Sequence, residues 1–251
     1  MHYYKQNKEE ISQEEFIDSY GKSYYIDEQR LVKGTTQNSK YIEIEIDAFL
    51  EKENDNLLKK EIKTKKDVMH ILAWKIGKIR HKDSQEAEKW VFHKGCENTE
   101  DGRMKLRNGE IDFSDFAEYL VNNITELKNR AFLQPQEVLN DLKEKAPSGM
   151  GTVYLITILY FLSGGEYPIY DKYAKIAVDA ILGDIKPGEY VEYKELPEKN
   201  SEKFAYVMDE IYSFKADIET IFGDTYKENR NVDRALWVYG HSFANGAKKC
   251  E

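Results

Sequence analysis

The feature that most constrains this chain is an apolar segment of ten residues, Val153–Leu162, with a break on each side. Only Thr157 within it falls outside the hydrophobic residue types. "PSGMG" precedes the segment and "SGGEYP" follows it, and Gly and Pro of this kind end helices and form turns. A membrane-spanning helix needs about 20 apolar residues, so the segment is too short to cross a bilayer. It is therefore predicted to be a buried core helix.

Length and composition predict a soluble globular protein. The chain has 251 residues, enough for one large domain or two smaller ones, and 41% are hydrophobic and 33% charged. The polar start, "MHYYKQNKEE", shows no secretory signal. Two cysteines, Cys96 and Cys250, are too few for a disulfide framework or a four-thiolate iron–sulfur cluster, and His93 with Cys96 is too small a set for zinc. We expect a cytoplasmic protein without a membrane partner, a metal or another cofactor.

The charge is uneven along the chain. A net charge of −9 argues against a protein that coats nucleic acid. Within Lys59–Lys82, however, nine Lys or Arg residues face only Glu61 and Asp67, which leaves a local charge of 9 − 2 = +7. Such runs are usually solvated surfaces. The alternative, contact with a DNA backbone, is favoured by the contrast with the acidic remainder.

The first 62 residues differ in pattern from the rest. "KYIEIEIDAFL" alternates apolar and acidic side chains, which predicts a β-strand. The turn-rich "KGTTQNSK" precedes it, so "SYYIDEQRLV" and "KYIEIEI" are predicted to form a β-hairpin. We interpret residues 1–62 as an N-terminal extension of mixed α/β structure.

From residue 63 onward the apolar residues follow the three- and four-residue spacing of helices. The first predicted helix runs from a cap at Thr64 to about Arg80. "AEKWVFHKGC" is predicted to be a short helix and "ENTEDGRMKLRNGE" a polar loop. Further helices are predicted over Asp112–Ala131, Pro135–Lys145, Thr152 to about Ser163, Lys172–Leu182, Ser201–Phe222 and Val232 to about Ala247. The predicted fold class is mainly α, with a helical region over residues 63–251.

The glycines before the apolar segment predict a tight helix–turn–helix connection. Gly149 and Gly151 flank a single residue, Met150, in the turn. Glycine permits positive φ angles and close approach of another group to the backbone. Free N–H groups at the start of the following helix suit a phosphate, although most Gly-x-Gly turns only connect elements. A carboxylate, Asp171, follows 171 − 151 = 20 residues after the second glycine.

This arrangement resembles the helix-hairpin-helix DNA glycosylase superfamily, which includes endonuclease III and the adenine glycosylases. "SGMG" is similar to the family's hairpin and "PIYD" to the segment that carries its aspartate. "DRALWVYGHSFANGAKKC" is similar to its closing helix. The resemblance covers roughly residues 64–251 and leaves residues 1–62 without a counterpart.

The resemblance implies a helix-hairpin-helix core that binds double-stranded DNA. Backbone amides of Gly149, Met150 and Gly151 would hold a DNA phosphate, and Asp171 would be the catalytic carboxylate. A carboxylate near the sugar C1′ stabilises the oxocarbenium ion of N-glycosidic cleavage or activates water, once the target base is flipped out of the duplex. Further contacts to the DNA backbone would come from Lys75, Lys78 and Lys82, which the predicted first helix places on one face.

Departures from the family pattern narrow the implied chemistry. Lyase-competent members carry a lysine two residues after the second glycine, and here that position is Val153, which forms no Schiff base. The implied enzyme is therefore a monofunctional glycosylase. Ser148 replaces the family's proline before the first glycine, and "KYAKIA" follows Asp171 where the family often has "THVxR". Only Cys250 stands where iron–sulfur members place their cysteines.

The same residues also have structural interpretations. Asp171 is a favoured N-cap, which would accept a hydrogen bond from the amide of Tyr173 or Ala174. His241 lies where a cation satisfies a helix end. The alternative function is a non-catalytic binding or structural module that keeps the fold without DNA chemistry, and the net charge together with Val153 favours it.

Overall fold

The computed structural model describes residues 1–21, 62–75, 79–82, 89–92, 101–106, 109–228 and 231–244, and these residues are mainly helical. The helices are α1 (residues 13–21), α2 (Lys65–Lys75), α3 (Ser114–Leu133), α4 (Pro135–Lys145), α5 (Thr152–Leu162), α6 (Lys172–Leu182), α7 (Val207–Phe222), α8 (Thr225–Glu228) and α9 (Asn231–Ala244), with a 3-10 helix at Glu202–Tyr206. The strands are β1 (Tyr3–Tyr4), β2 (Glu10–Ile11), β3 (Ile79–Lys82), β4 (Lys89–Phe92), β5 (Arg103–Leu106) and β6 (Gly109–Asp112). They pair as three antiparallel two-stranded sheets, β1–β2, β3–β4 and β5–β6.

The chain divides into two compact units, and each draws on separate parts of the sequence. The first unit comprises Met1–Thr36, Tyr167–Pro197 and Tyr206–Glu251. The second unit comprises Gln37–Glu166 and Glu198–Ala205. The predicted boundary between residues 62 and 63 remains a prediction.

Helix α5 is the core of the second unit, as its composition predicts. Every side chain of α5 is buried except Val153 and Tyr154, which are half-buried. The ring of Trp74 on α2 meets the ring of Phe161 edge-on at 5.8 Å between centroids. Helices α2, α3 and α4 pack around α5 through their own apolar faces. Burial on all sides explains why this segment is almost wholly apolar.

Aromatic rings dominate the core of the first unit. Phe16 on α1 is fully buried and contacts Tyr239 on α9 at 5.1 Å between ring centroids. The hydroxyl of Tyr20 donates to the carbonyl of Tyr4, and burial raises the pKa of Tyr20 to about 12. The side-chain amide of Gln13 donates to the carbonyl of Ile221 at 2.8 Å. These contacts join the first 21 residues to the C-terminal helices.

Several predicted helix starts are confirmed at the level of single hydrogen bonds. The hydroxyl oxygen of Thr64 accepts from the amide of Asp67, whose carboxylate accepts from the amide of Thr64 at 2.8 Å. Pro135 occupies the first turn of α4. The carboxylate of Asp112 accepts from the amide of Ser114 where α3 begins. The sequence signals for these helix starts are local, so the helices begin at or near the residues that the sequence predicts.

The structure corrects the sequence interpretation of residues 76–110. The described part of α2 ends at Lys75, and Arg80 lies in β3 rather than in the predicted helix. Residues 89–92 of the predicted short helix form β4, which pairs with β3. Most of the described part of the predicted polar loop forms β5 and the start of β6. The β3–β4 pairing reaches across 92 − 79 = 13 positions, from Ile79 to Phe92, whereas β5 and β6 form a tight hairpin in which Leu106 pairs with Gly109.

The predicted hairpin of "SYYIDEQRLV" and "KYIEIEI" lies outside the described residues. The two-stranded sheet observed near the N-terminus is β1–β2, with Tyr3 opposite Ile11. Strands of two residues are too short to leave an alternating pattern. Within the described residues, no helix combines the length and apolar character needed to cross a membrane.

Candidate functional site

The predicted helix–turn–helix connection is present in the second unit. Helix α4 ends at Lys145, and α5 begins at Thr152. The amide of Met150 donates to the carbonyl of Pro147 at 3.2 Å, which closes a tight turn. We call residues 146–151 the glycine turn.

The two glycines of the turn differ in backbone conformation and in the space around them. Gly149 has φ +85°, and a Cβ on it would lie 2.7 Å from Cδ1 of Ile111. Gly151 has an ordinary φ of −83°, and no heavy atom lies within 4 Å of where its Cβ would be. Backbone conformation and packing therefore favour glycine at 149, whereas neither of them does so at 151.

Gly151 is the N-cap residue of α5, and no side chain caps this helix in the described part of the chain. The first amides of a helix need acceptors that the helix itself does not supply. Ser, Thr, Asp and Asn supply an acceptor from the N-cap position, whereas glycine has no side chain that could do so. Both glycines of the turn are exposed.

Met150 contributes to the turn as an anchor. Its side chain is 1% exposed, and its amide already donates to Pro147 within the turn. Within the turn, the exposed Gly149 and Gly151 are the positions whose amides a ligand could approach. That these amides bind phosphate stays a prediction.

The structure adds a residue that sequence reasoning missed. The ammonium of Lys199 donates to the carbonyl oxygens of Ala146 and Pro147, at 3.1 Å and 2.6 Å. Lys199 is 8% exposed, and burial lowers the pKa of its ammonium. It lies 52 residues beyond Pro147, between the predicted helices Lys172–Leu182 and Ser201–Phe222, so no local sequence signal indicates the contact.

Asp171 lies in the first unit, at the start of α6. Its Oδ1 accepts a hydrogen bond from the amide of Tyr173 at 2.9 Å. The predicted N-cap is thus confirmed, and the carboxylate is half-buried. The predicted catalytic role of Asp171 stays a prediction.

Aromatic and basic groups surround the start of α6. The Tyr173 ring stacks on His241 of α9, with ring centroids 3.4 Å apart. Nδ1 of His241 is 2.8 Å from the carbonyl oxygen of Trp237, one turn earlier in the same helix. The ammonium of Lys172 lies 5.0 Å from the Tyr193 ring centroid, and a hydrogen bond to the Tyr193 hydroxyl raises the Lys172 pKa. Asp171 thus caps a helix whose first turn carries the Tyr173 ring, and that ring stacks on His241.

The three lysines predicted to share a helix face do not do so. Lys75 is half-buried at the end of α2, and Lys82 ends β3 opposite Lys89. Lys78 lies outside the described residues. The prediction of a common helix face is wrong because strand β3 begins at Ile79. Contact of these lysines with DNA stays a prediction.

His93 and Cys96 also lie outside the described residues. Among the described residues, no group of three or more His, Cys, Asp or Glu side chains is arranged to hold a metal ion. Comparison with protein-family models, with curated proteins and with solved structures finds no match to this chain.

Proposed function

We propose that this chain is a double-stranded DNA-binding protein that resembles a monofunctional base-excision glycosylase. The observation that carries the proposal is the glycine turn, above all Gly151. Backbone conformation and packing do not require glycine there, yet the residue stands at an exposed helix start without a side-chain cap. Close approach of an anion to the backbone explains the missing side chain.

The turn supplies two sources of attraction for a phosphate. The N-terminus of α5 carries the positive end of the helix dipole, and its first amides are donors. The Lys199 ammonium adds a full charge beside Ala146 and Pro147. A phosphodiester of the DNA backbone carries one negative charge and acceptor oxygens, which match this set.

In this proposal Asp171 acts on the sugar of a flipped nucleotide. Cleavage of the N-glycosidic bond leaves positive charge on the sugar ring, and a fixed carboxylate stabilises that charge or takes a proton from the attacking water. The bond to the base breaks, water adds at C1′, and the free base leaves. Val153 cannot form a Schiff base, so strand cleavage by a lyase step is not part of the proposal.

A salt titration of duplex binding tests the DNA-binding half. We expect wild-type affinity for a short duplex, measured by fluorescence anisotropy, to fall steeply between 50 and 200 mM salt. A protein that makes six phosphate contacts loses about a thousandfold in DNA affinity over this range. Gly151→Asp adds a carboxylate and a helix cap at the turn, so it should abolish binding while the protein stays folded. Asn140→Asp adds the same charge on α4 away from the turn and is the matched control.

An excision screen tests the catalytic half. Duplexes that carry single damaged or mismatched bases are incubated with wild type and with Asp171→Asn, and the release of free base is measured. Asn caps a helix as well as Asp does, so the variant keeps the fold and loses only the charge. Equal release by both proteins would remove Asp171 from catalysis.

The second candidate function is a non-catalytic helical module. The observation that favours it is the hydrogen bond between Asp171 and the Tyr173 amide, which gives the carboxylate a structural role. The net charge of −9 points the same way. If wild type binds no duplex, abasic or mismatched DNA even at low salt, this second candidate replaces the first.

A further inference from the structure

Asp171 is held through the first turn of α6. Its backbone is extended, with φ −129° and ψ 150°, and its Oδ1 accepts a hydrogen bond from the amide of Tyr173 at 2.9 Å. Helix ends fray, because their first amides have no acceptor within the helix. The cap bond therefore fixes the Asp171 carboxylate only as firmly as the first turn itself is fixed.

Helix α9 fixes that first turn at two places on Tyr173. The Tyr173 ring stacks on the His241 ring, with centroids 3.4 Å apart and an angle of 20° between the ring planes. The Tyr173 backbone lies so close to Gly240 that a side chain at position 240 would overlap it. Neighbouring residues of one helix thus hold both the ring and the backbone of Tyr173.

The imidazole of His241 is itself held in one orientation. Its Nδ1 lies 2.8 Å from the carbonyl oxygen of Trp237, and a carbonyl oxygen only accepts, so Nδ1 carries a proton. The Trp237 ring lies against the same imidazole, with centroids 4.0 Å apart. A hydrogen bond and a ring contact within α9 therefore set the orientation in which the imidazole meets Tyr173.

We propose that His241 is a positioning residue for Asp171 and acts through Tyr173. The inference rests on the proposed function, in which Asp171 is the catalytic carboxylate. His241 holds the Tyr173 ring, and the Tyr173 amide holds the carboxylate at the place where it acts on the sugar. A displacement of about 1 Å at a catalytic group can cost about a hundredfold in rate, so loss of this support should be measurable in catalysis.

Hydrogen exchange of single amides, followed by ¹⁵N NMR on the full chain, tests the contact without a substrate. We expect the Tyr173 amide to exchange about fivefold faster in His241→Ala, because fraying of the first turn no longer breaks a stacked ring pair. The amides of Ala177 and Val178, in the buried middle of α6, report on the stability of the whole fold. A Tyr173 amide that exchanges as in wild type would overturn the inference, whether or not these buried amides change.

Two further variants separate the ring from other effects of substitution. His241→Phe keeps a ring to stack on Tyr173 but offers no donor to the Trp237 carbonyl, and it should return Tyr173 exchange to within about twofold of wild type. Ser242→Ala removes a hydroxyl that donates to the Tyr239 carbonyl on the same turn of α9, and it should leave Tyr173 exchange unchanged. If Tyr173 exchanges as fast in His241→Phe as in His241→Ala, the stacked ring does not hold the turn and the inference fails.

Thermal unfolding of each variant shows which of them remain folded at the temperature of the exchange measurement. His241→Leu fills space without a planar ring, so it replaces His241→Ala if that variant does not fold. The same exchange pattern is expected of it, with Tyr173 faster than in wild type and faster than in His241→Phe.

Single-turnover excision distinguishes this inference from the proposed function. In His241→Ala the rate of base release should fall about tenfold while duplex affinity stays within about twofold of wild type, because only the placement of the carboxylate changes. His241→Phe should restore most of the rate. Excision that is equal in wild type and His241→Ala would overturn the role of His241 while the glycosylase proposal stands. Faster Tyr173 exchange in His241→Ala, without base release by wild type, would remove the proposed function and leave His241 as the residue that holds the cap.

Discussion

Helix α9 crosses the start of α6 so closely that a Cβ on Gly240 would lie 1.9 Å from the backbone carbonyl oxygen of Tyr173. The same Tyr173 donates its amide to the Asp171 carboxylate and stacks its ring on His241. Glycine at 240 therefore lets α9 contact the first turn of α6. The position of the candidate carboxylate depends on this packing.

We expect Gly240→Ala to destabilise the protein by about 3 kcal/mol, because the methyl group meets backbone atoms that cannot rotate away. Urea unfolding followed by circular dichroism measures the change. Gly151→Ala, where nothing lies within 4 Å of the added Cβ, is the control and should cost less than about 1 kcal/mol. Similar values for the two variants would contradict the close contact.

The two glycines of the turn should separate stability from binding. Gly149→Ala places a side chain at φ +85° and should cost about 1–2 kcal/mol of unfolding free energy. Gly151→Ser provides an N-cap and should leave stability within about 0.5 kcal/mol of wild type. Because the serine fills the open space at the helix start, Gly151→Ser should still lower duplex affinity about tenfold. Unchanged affinity in Gly151→Ser would contradict phosphate binding at this position.

Substitutions of Asp171 should separate the cap from the chemistry. Asp171→Ala removes the acceptor of the Tyr173 amide and should lower the free energy of unfolding by about 1 kcal/mol. Asp171→Asn keeps an acceptor, so its free energy of unfolding should stay within ~0.3 kcal/mol of wild type. If the carboxylate is catalytic, both variants lose base excision. Thermal unfolding and the excision assay are run on the same preparations. Excision that follows stability, lost in Asp171→Ala and kept in Asp171→Asn, would assign Asp171 to the cap alone.

The buried ammonium of Lys199 should make stability depend on pH. Its folded-state pKa lies below the ordinary value of 10.5, so between these two pKa values the unfolded chain binds more protons than the folded chain. Stability then rises with pH across that interval and reaches its full gain near pH 10.5. Lys199→Met lacks this term.

The measurement is the difference in unfolding free energy between wild type and Lys199→Met at a series of pH values. We expect the difference to shift in favour of wild type as the pH increases toward 10.5. Lys203→Met has no buried charge and should show no such trend against wild type. A shift in favour of Lys199→Met would mean that the carbonyl contacts raise the pKa instead.

Helices and their starts could be predicted from the sequence because their causes are local. Thr64 and Asp67 lie three residues apart, and Pro135 needs only its own ring to favour a helix start. The pairing of β3 with β4 joins Ile79 to Phe92 across 92 − 79 = 13 positions, and the residues between give no helical or strand period that decides the pairing. The sequence pattern therefore predicts Lys75 and Lys82 on one helix, although strand β3 begins between them.

The candidate site divides in the same way. Gly149, Gly151 and Asp171 are recognisable from spacing and turn chemistry, and the structure places each at the helix boundary that the sequence predicts. The two glycines alone do not reveal that backbone conformation and packing favour glycine at 149 and not at 151. That distinction depends on Ile111, which reaches the turn from β6.

By itself the sequence determined the mainly helical class, the buried apolar helix α5 and the turn before it, since helix propensity, capping and apolar periodicity act over a few residues. Only the tertiary structure decided that Lys199 lies on the carbonyls of Ala146 and Pro147, and that Gly240 lies against Tyr173. These contacts join distant parts of the chain. They form only when packing brings the segments together, and no local pattern encodes the distance between two atoms 52 residues apart.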